Sequence, residues 1–146
     1  MIESVTEKNL AEVLPLIRMY QEFYNISDIS DKRNQEFFAQ FGPDSSAGCQ
    51  FVFRGSEKIL AFATVYFSYT SSIASKTAVL NDLFTLPEAR RKGIGRTLIE
   101  HSWKYVSSKG AVRLHWATQV DNNVAQSLYR SLGAKESTWK IYVYST

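Results

Sequence analysis

The stretch from Thr77 to Thr118 constrains this chain more than any other. It begins as an apolar, β-branched run ending at Thr85, passes through "PEARRKGIGR", and continues as a helical pattern. That pattern places Ile94, Leu98, Ile99, Trp103 and Val106 on one face and stops near Gly110. Val112, Leu114 and Trp116 then alternate with Arg113 and His115 as a strand. Strand, helix and strand in one sheet join most simply through a right-handed parallel crossover with an open cleft beside it.

The flanks supply the rest of the sheet and its cover. Residues 1–6 suggest a short first strand, and Asn9 with Glu12 resembles a capping box. Leu10, Val13, Leu14, Ile17, Tyr20 and Tyr24 predict a first helix in which Pro15 forces a kink or a later start. Asn34, Phe37, Phe38 and Phe41 predict a second helix stopped by Gly42-Pro43. Gln50 to Phe53, Ile59 to Tyr69 and Thr77 to Thr85 read as an antiparallel meander, with Ser71, Ser72 and Ser75 marking a hairpin turn. Ala125, Leu128 and Leu132 predict a fourth helix closed by Gly133, and Thr138 to Tyr144 predict a terminal strand. The expected order is β-α-α-β-β-β-α-β-α-β, a mixed α/β (α+β) class in a single domain of residues 1–146.

A net charge of +3 is too mild to imply a polyanionic partner unless the cations cluster. Cys49 is the only cysteine, which leaves no intrachain disulfide, no cysteine metal cage and a thiol read as buried or incidental. His101 and His115 lack ligand-like spacing and read as structural, so no metal is expected. No basic leader precedes an apolar stretch, and no apolar run approaches about 18 residues. The expectation is a soluble cytoplasmic protein without a membrane partner.

The cations do cluster, at Arg90, Arg91, Lys92 and Arg96 around Gly93 and Gly95. Glycines permit left-handed backbone and close approach, and the first N–H groups of a helix are free to bind phosphate oxygens. Two familiar phosphate loops fit poorly. A triphosphate loop ends in Gly-Lys-Ser/Thr where this chain has Gly95-Arg96-Thr97, and a dinucleotide fingerprint has glycine where Leu98 stands.

Arg90-Arg91-Lys92-Gly93-Ile94-Gly95 resembles the Arg/Gln-x-x-Gly-x-Gly/Ala signature of the GCN5-related N-acetyltransferase (GNAT) family. The run from Asn122 through Ala125, Leu128, Tyr129 and Leu132 to Gly133 is similar to a second segment of that family. The likeness is strong from Leu80 to Gly133. Tyr20 to Tyr24, Asn81 to Phe84 and Trp116 to Thr118 look like the histone, polyamine and small-amine subgroup. Two positions depart from the pattern. Arg91 stands where glycine is commoner, tolerable if the backbone there stays right-handed; Asn81 stands where polyamine members often carry a carboxylate.

The resemblance implies a GNAT-like sheet with splayed fourth and fifth strands, acetyl-CoA as co-substrate, and a primary amine of a small molecule or peptide attacking directly in a ternary complex. The pyrophosphate would lie over the N–H groups of Arg91, Lys92, Gly93, Ile94, Gly95 and Arg96, with Arg90 adding charge. The pantetheine arm would pair with Leu83, Phe84 and Thr85, with Asn122 capping the fourth helix beside it. An N–H near Leu83 would polarise the thioester carbonyl. A free alkylamine has a pKa near 10, so a proton acceptor is needed, and Asp82 is the candidate, directly or through water. Tyr129 would protonate the leaving thiolate. Glu22 and Tyr24, with the Tyr66 to Ser75 hairpin, are where the acceptor is expected to be set.

A coenzyme A sensor without catalysis is the alternative reading. Nucleic-acid binding is not expected, because the cations occupy one turn rather than a stripe. Trp139, Ile141 and Val143 alternating with Lys140, Tyr142 and Tyr144 point to a homodimer through the terminal strand.

Overall fold

The computed structural model describes residues 1–146. Five strands form one sheet in chain order: β1 (Ile2–Ser4), β2 (Gly48–Arg54), β3 (Ile59–Thr70), β4 (Ser75–Thr85) and β5 (Leu114–His115). Neighbours are antiparallel up to β4, and β5 runs parallel to β4 through the crossover helix α3 (Ile94–Ser108). Helices α1 (Leu10–Phe23) and α2 (Asp31–Phe38) precede β2, and α4 (Asn123–Ser131) follows β5.

Strand side chains alternate between faces, and the helices divide accordingly. Phe51 meets His101 and Tyr105 of α3, with ring centroids 4.7 and 5.1 Å away, so that face of the sheet is covered by α3. Phe62 and Phe84 meet Tyr20 of α1 on the other face, at 5.6 and 6.2 Å. Phe51 and Phe62 are fully buried, each stabilising the fold by about 1.5–3 kcal/mol.

One irregularity in β4 positions the site. Tyr66 of β3 lies opposite Val79 and Val65 opposite Leu80, but Thr64 lies opposite Asp82. Asn81 is therefore an extra residue, a β-bulge. Residues directly opposite share a face, so Val79, Asp82 and Phe84 all point toward α1 and α2. Without the extra residue, Asn81 and Leu83 would do so instead. The bulge also coincides with the end of pairing to β5, which bonds β4 only at Ala78 and Val79. Beyond it the two strands separate, the splay that the resemblance implied.

Several sequence expectations need correction. The terminal strand Thr138 to Tyr144 is not formed: beyond α4 the chain has no regular structure, because no strand of the same chain lies beside it. The fifth strand is confined to Leu114–His115, because β4 pairs with it only at Ala78 and Val79 before the two separate. Helix α1 begins at Leu10 and runs through Pro15 without a later start. Asn9 makes no side-chain cap; its Oδ1 accepts from the Thr6 N–H at 2.8 Å. Glu12 pairs with Arg54 at 2.8 Å, and Arg54 also holds Glu3 at 2.7 Å, tying α1, β1 and β2 together.

Gly48 begins β2 opposite Tyr66, and a Cβ there would stand 2.1 Å from the Val65 carbonyl oxygen. Gly48→Ala is expected to lower unfolding free energy in urea by about 2–3 kcal/mol, because backbone must move. Unchanged stability would mean that this approach of β2 to β3 is looser than described.

Candidate active site

The turn from Arg90 to α3 is built from left-handed backbone. Gly93 has φ 79° and Arg91 φ 62°, so the condition of right-handed backbone that would make a side chain at Arg91 tolerable is not met. A non-glycine residue held there costs about 1–2 kcal/mol. The return is a row of free donors: the N–H groups of Arg91 through Arg96 have no backbone acceptor. Such alternation of backbone hand makes an anion-binding concavity, to which the α3 dipole adds positive potential. A Cβ on Gly93 would meet nothing within 4 Å, so the space over the turn is open.

Gly95 serves differently from expected. Its φ is not positive; a Cβ there would lie 3.6 Å from Leu128 and 3.9 Å from Leu83. Its bare Cα marks where α3, α4 and β4 converge.

The four cations of the turn do not act together. Arg90 turns back, its Nε donating to the Thr85 carbonyl at 3.0 Å and its guanidinium 5.8 Å from the Phe84 ring centroid. Arg96 donates to the Ser131 hydroxyl of α4 and lies 3.9 Å from Glu100. Arg91 and Lys92 are exposed and form no ion pair, so they are the cations free to meet an anion.

Asp82 is 3% exposed. Its Oδ1 accepts from the Asn81 amide at 2.9 Å, and its Oδ2 has no partner. Burial pushes the Asp82 carboxyl above the usual carboxylate range, against the opposing pull of the Thr64, Tyr20 and Asn81 side chains. The Thr64 hydroxyl accepts from the buried Gln50 amide at 3.3 Å, which leaves its own proton directed elsewhere.

In front of Asp82 lies a cavity of about 330 Å³. Tyr20 and Gln21 of α1, Arg33, Asn34, Phe37 and Phe38 of α2, Tyr66 of β3, and Asn81 and Asp82 form its wall. Gln21 and Asn34 exchange two hydrogen bonds of 2.8 Å, locking α1 to α2. Glu22 is exposed and outside this wall. Tyr24 packs edge-on against Tyr20 at 5.0 Å and stands close enough to Tyr129 to add to the rise in its pKa. The i, i+4 spacing of Tyr20 and Tyr24 is the available signal for Tyr20, and Tyr66 opens the Tyr66 to Ser75 hairpin where the acceptor is expected; nothing local singles out the wall residues of α2.

Tyr129 projects from α4, whose start Asn122 caps by accepting from the Ala125 N–H at 3.2 Å. Its ring meets Trp116 edge-on at 5.3 Å, and its hydroxyl makes no hydrogen bond within the protein. Burial raises its pKa, so the phenol stays protonated through neutral pH. A row of phenols thus runs from Tyr129 through Tyr24 and Tyr20 to Asp82. No helix is long and apolar enough to cross a membrane.

Residues 13–134 match the model of a family described as the acetyltransferase (GNAT) family. An uncharacterized N-acetyltransferase, YhfO, of Bacillus subtilis is 29% identical over 94% of this chain and 91% of its own length. A thialysine N-epsilon-acetyltransferase of Bos taurus is 28% identical over 94% of this chain and 85% of its own. A crystal structure of a probable acetyltransferase superposes with a TM-score of 0.87 at 28% identity, covering 100% of this chain and 97% of the other.

Burying the ionised Asp82 side chain opposes folding. Because its folded pKa is raised, its favourable contribution is present below the unfolded value near 3.9 and is lost as pH rises through the folded value. Asp82→Asn is therefore expected to raise Tm at pH 7 relative to the parent, with the gain vanishing at low pH where both are neutral. A lower Tm at pH 7 would show that the carboxylate is better solvated than its burial indicates.

Proposed function

This chain belongs to the GNAT family of acetyltransferases, and from that premise we propose that it acetylates the primary amine of a small molecule or peptide whose ammonium enters the Tyr20–Tyr66 cavity toward Asp82. It is an acetyl-CoA-dependent N-acetyltransferase; acetyl-CoA supplies the acetyl group as an activated thioester. The observation carrying the acceptor reading is the unpartnered Oδ2 of Asp82, a buried carboxylate oxygen at the wall of a cavity otherwise lined by aromatic rings and amides.

The residues fit the co-substrate in two places. The free N–H groups from Arg91 to Arg96, with Arg91 and Lys92, suit a pyrophosphate. The edge of β4 at Leu83, Phe84 and Thr85, uncovered where β5 departs, suits the amide-bearing pantetheine arm. Leu83 faces Gly95 of α3, on the side of the anion turn, while Asp82 faces the acceptor cavity on the other side of β4.

An amine must be neutral to attack. Asp82, with its pKa raised, is a stronger base than an exposed carboxylate and accepts the ammonium proton directly or through water. The Leu83 N–H polarises the acetyl carbonyl where negative charge develops. Tyr129, held protonated by burial and unbonded to the protein, supplies a proton to the leaving sulfur. Trp116 packs edge-on against its ring, and Tyr24 stands between Tyr129 and Tyr20. Only one carboxylate lines the cavity, while Arg33 stands in its wall, so a second ammonium has no anionic partner there. Monoamines and lysine-like amines are favoured over polyamines.

Release of free thiol from acetyl-CoA, followed across amino acids, lysine peptides, aminoglycosides and polyamines, tests the reading. Turnover is expected to be weakest with polyamines. Tyr129→Phe should cut kcat about 10²–10⁴-fold with coenzyme A binding retained, and the parent's rate should fall on the acid side as Asp82 protonates. Binding without turnover of any amine would leave a sensor, and unchanged turnover in Tyr129→Phe would remove that residue from the mechanism.

A further inference from the structure

Three polar side chains lie in one buried row across the sheet. Gln50 of β2 pairs with Thr64 of β3, and Thr64 with Asp82 of β4, so all three point to the same face, toward α1 and α2. Gln50 and Thr64 are fully buried, as Asp82 nearly is. One step along that face, Val52, Phe62 and Phe84 form the equivalent row, and it is wholly apolar. In the polar row, Gln50 Oε1 and Asp82 Oδ2 both lack a hydrogen-bond partner, and the only other buried side-chain atom in that state is the Ser102 hydroxyl on α3. Orphaned polar atoms cost stability, so packing alone does not account for the row.

The hydrogen bonds of the row run in one direction. An amide nitrogen can only donate, and Gln50 Nε2 donates to Thr64 Oγ1 at 3.3 Å. The Thr64 hydroxyl makes no other hydrogen bond, which leaves its single proton free. Side chains directly across a strand pair stand with Cβ atoms about 4.5–5.5 Å apart. The neighbour across from Thr64 is the Asp82 carboxyl with its unpartnered Oδ2.

We propose that Gln50 and Thr64 are positioning residues for the proton acceptor: the Gln50 amide orients the Thr64 hydroxyl, which donates to Asp82 Oδ2 whenever that carboxyl is ionised. Neither touches substrate. Both act through Asp82, and their part in turnover rests on the reading of Asp82 as the base. A donor at Oδ2 favours the carboxylate against its burial, which is the direction in which Thr64 acts on it. The other groups facing Asp82 are Tyr20 of α1, Tyr66 of β3 and Arg33 of α2, while β2 presents only the uncharged Gln50. Burial keeps both phenols protonated through neutral pH, so Asp82 is the group that titrates in this wall on the acid side.

The Asp82 carboxyl carbon, followed by carbon-13 NMR as pH is raised, reads the row without any substrate. Thr64→Val removes the hydroxyl and should raise the Asp82 midpoint by about 1 pH unit, the size of one lost hydrogen bond to a charged group. Thr64→Ser should leave the midpoint at the parent's value, and Gln50→Leu, which frees the hydroxyl to turn, should raise it by less. In thiol release with one amine, the acid limb of kcat/KM should move with the midpoint, and the rate at higher pH should stay within a few-fold of the parent. A midpoint unmoved or lowered in Thr64→Val overturns the proposal, as does a Thr64→Ser variant that behaves like Thr64→Val. A midpoint that moves while the acid limb of an active enzyme stays in place also overturns it. If Thr64→Val does not fold, Gln50→Leu decides by the same criteria. If the midpoint moves as expected but the parent turns over no amine, the Thr64 to Asp82 bond is upheld and it is the acetyltransfer reading that fails.

Discussion

The site depends on one extra residue in one strand. Asn81 has no partner across β3, and from that point β4 presents its side chains with reversed parity. Asp82 consequently enters the cavity formed by α1 and α2, while Leu83 turns to α3 and Gly95. Pairing with β5 ends just before the same irregularity. A regular strand would turn Asn81 rather than Asp82 into the cavity, leaving no carboxylate at its wall. Stability given up in lost ladder bonds and in a buried unpaired oxygen is recovered by the two faces of packing around Phe51 and Phe62.

Strain at the Arg90–Arg96 turn follows the same logic. Arg91 holds a left-handed conformation that most side chains avoid, and the consequence is a run of N–H groups turned outward without acceptors. Arg90 and Arg96 anchor the two ends, to Thr85 and to Ser131, rather than facing a ligand. Two of the four cations are thus structural ties, and the backbone supplies more of the proposed anion site than the charge count suggests.

Much of this was legible locally. The spacing from Arg90 to Gly95 and from Asn122 to Gly133 marks a turn and a capped helix, whose geometry is settled within a few residues. What was not legible depends on partners distant in the chain. The side to which Asp82 points is fixed by its register against Thr64, and the bulge marks the run Leu80 to Phe84 only by the adjacent polar pair Asn81-Asp82, which an exposed strand end would show as well. Which residues of α2 form the wall is not legible for the same reason, and the choice of Glu22 over Tyr20 and Gln21 turned on helix rotation against α2. Thr138 to Tyr144 has strand chemistry without a strand, since alternation specifies a face and not a neighbour.

The central claim is that the β4 bulge joins an anion turn and an opened strand edge into one binding surface. Amide chemical shifts during titration with coenzyme A test it most directly. The account predicts that Arg91 to Arg96 and Leu83 to Thr85 shift together, on a single binding curve. Shifts confined to the turn, with β4 unmoved, would contradict it.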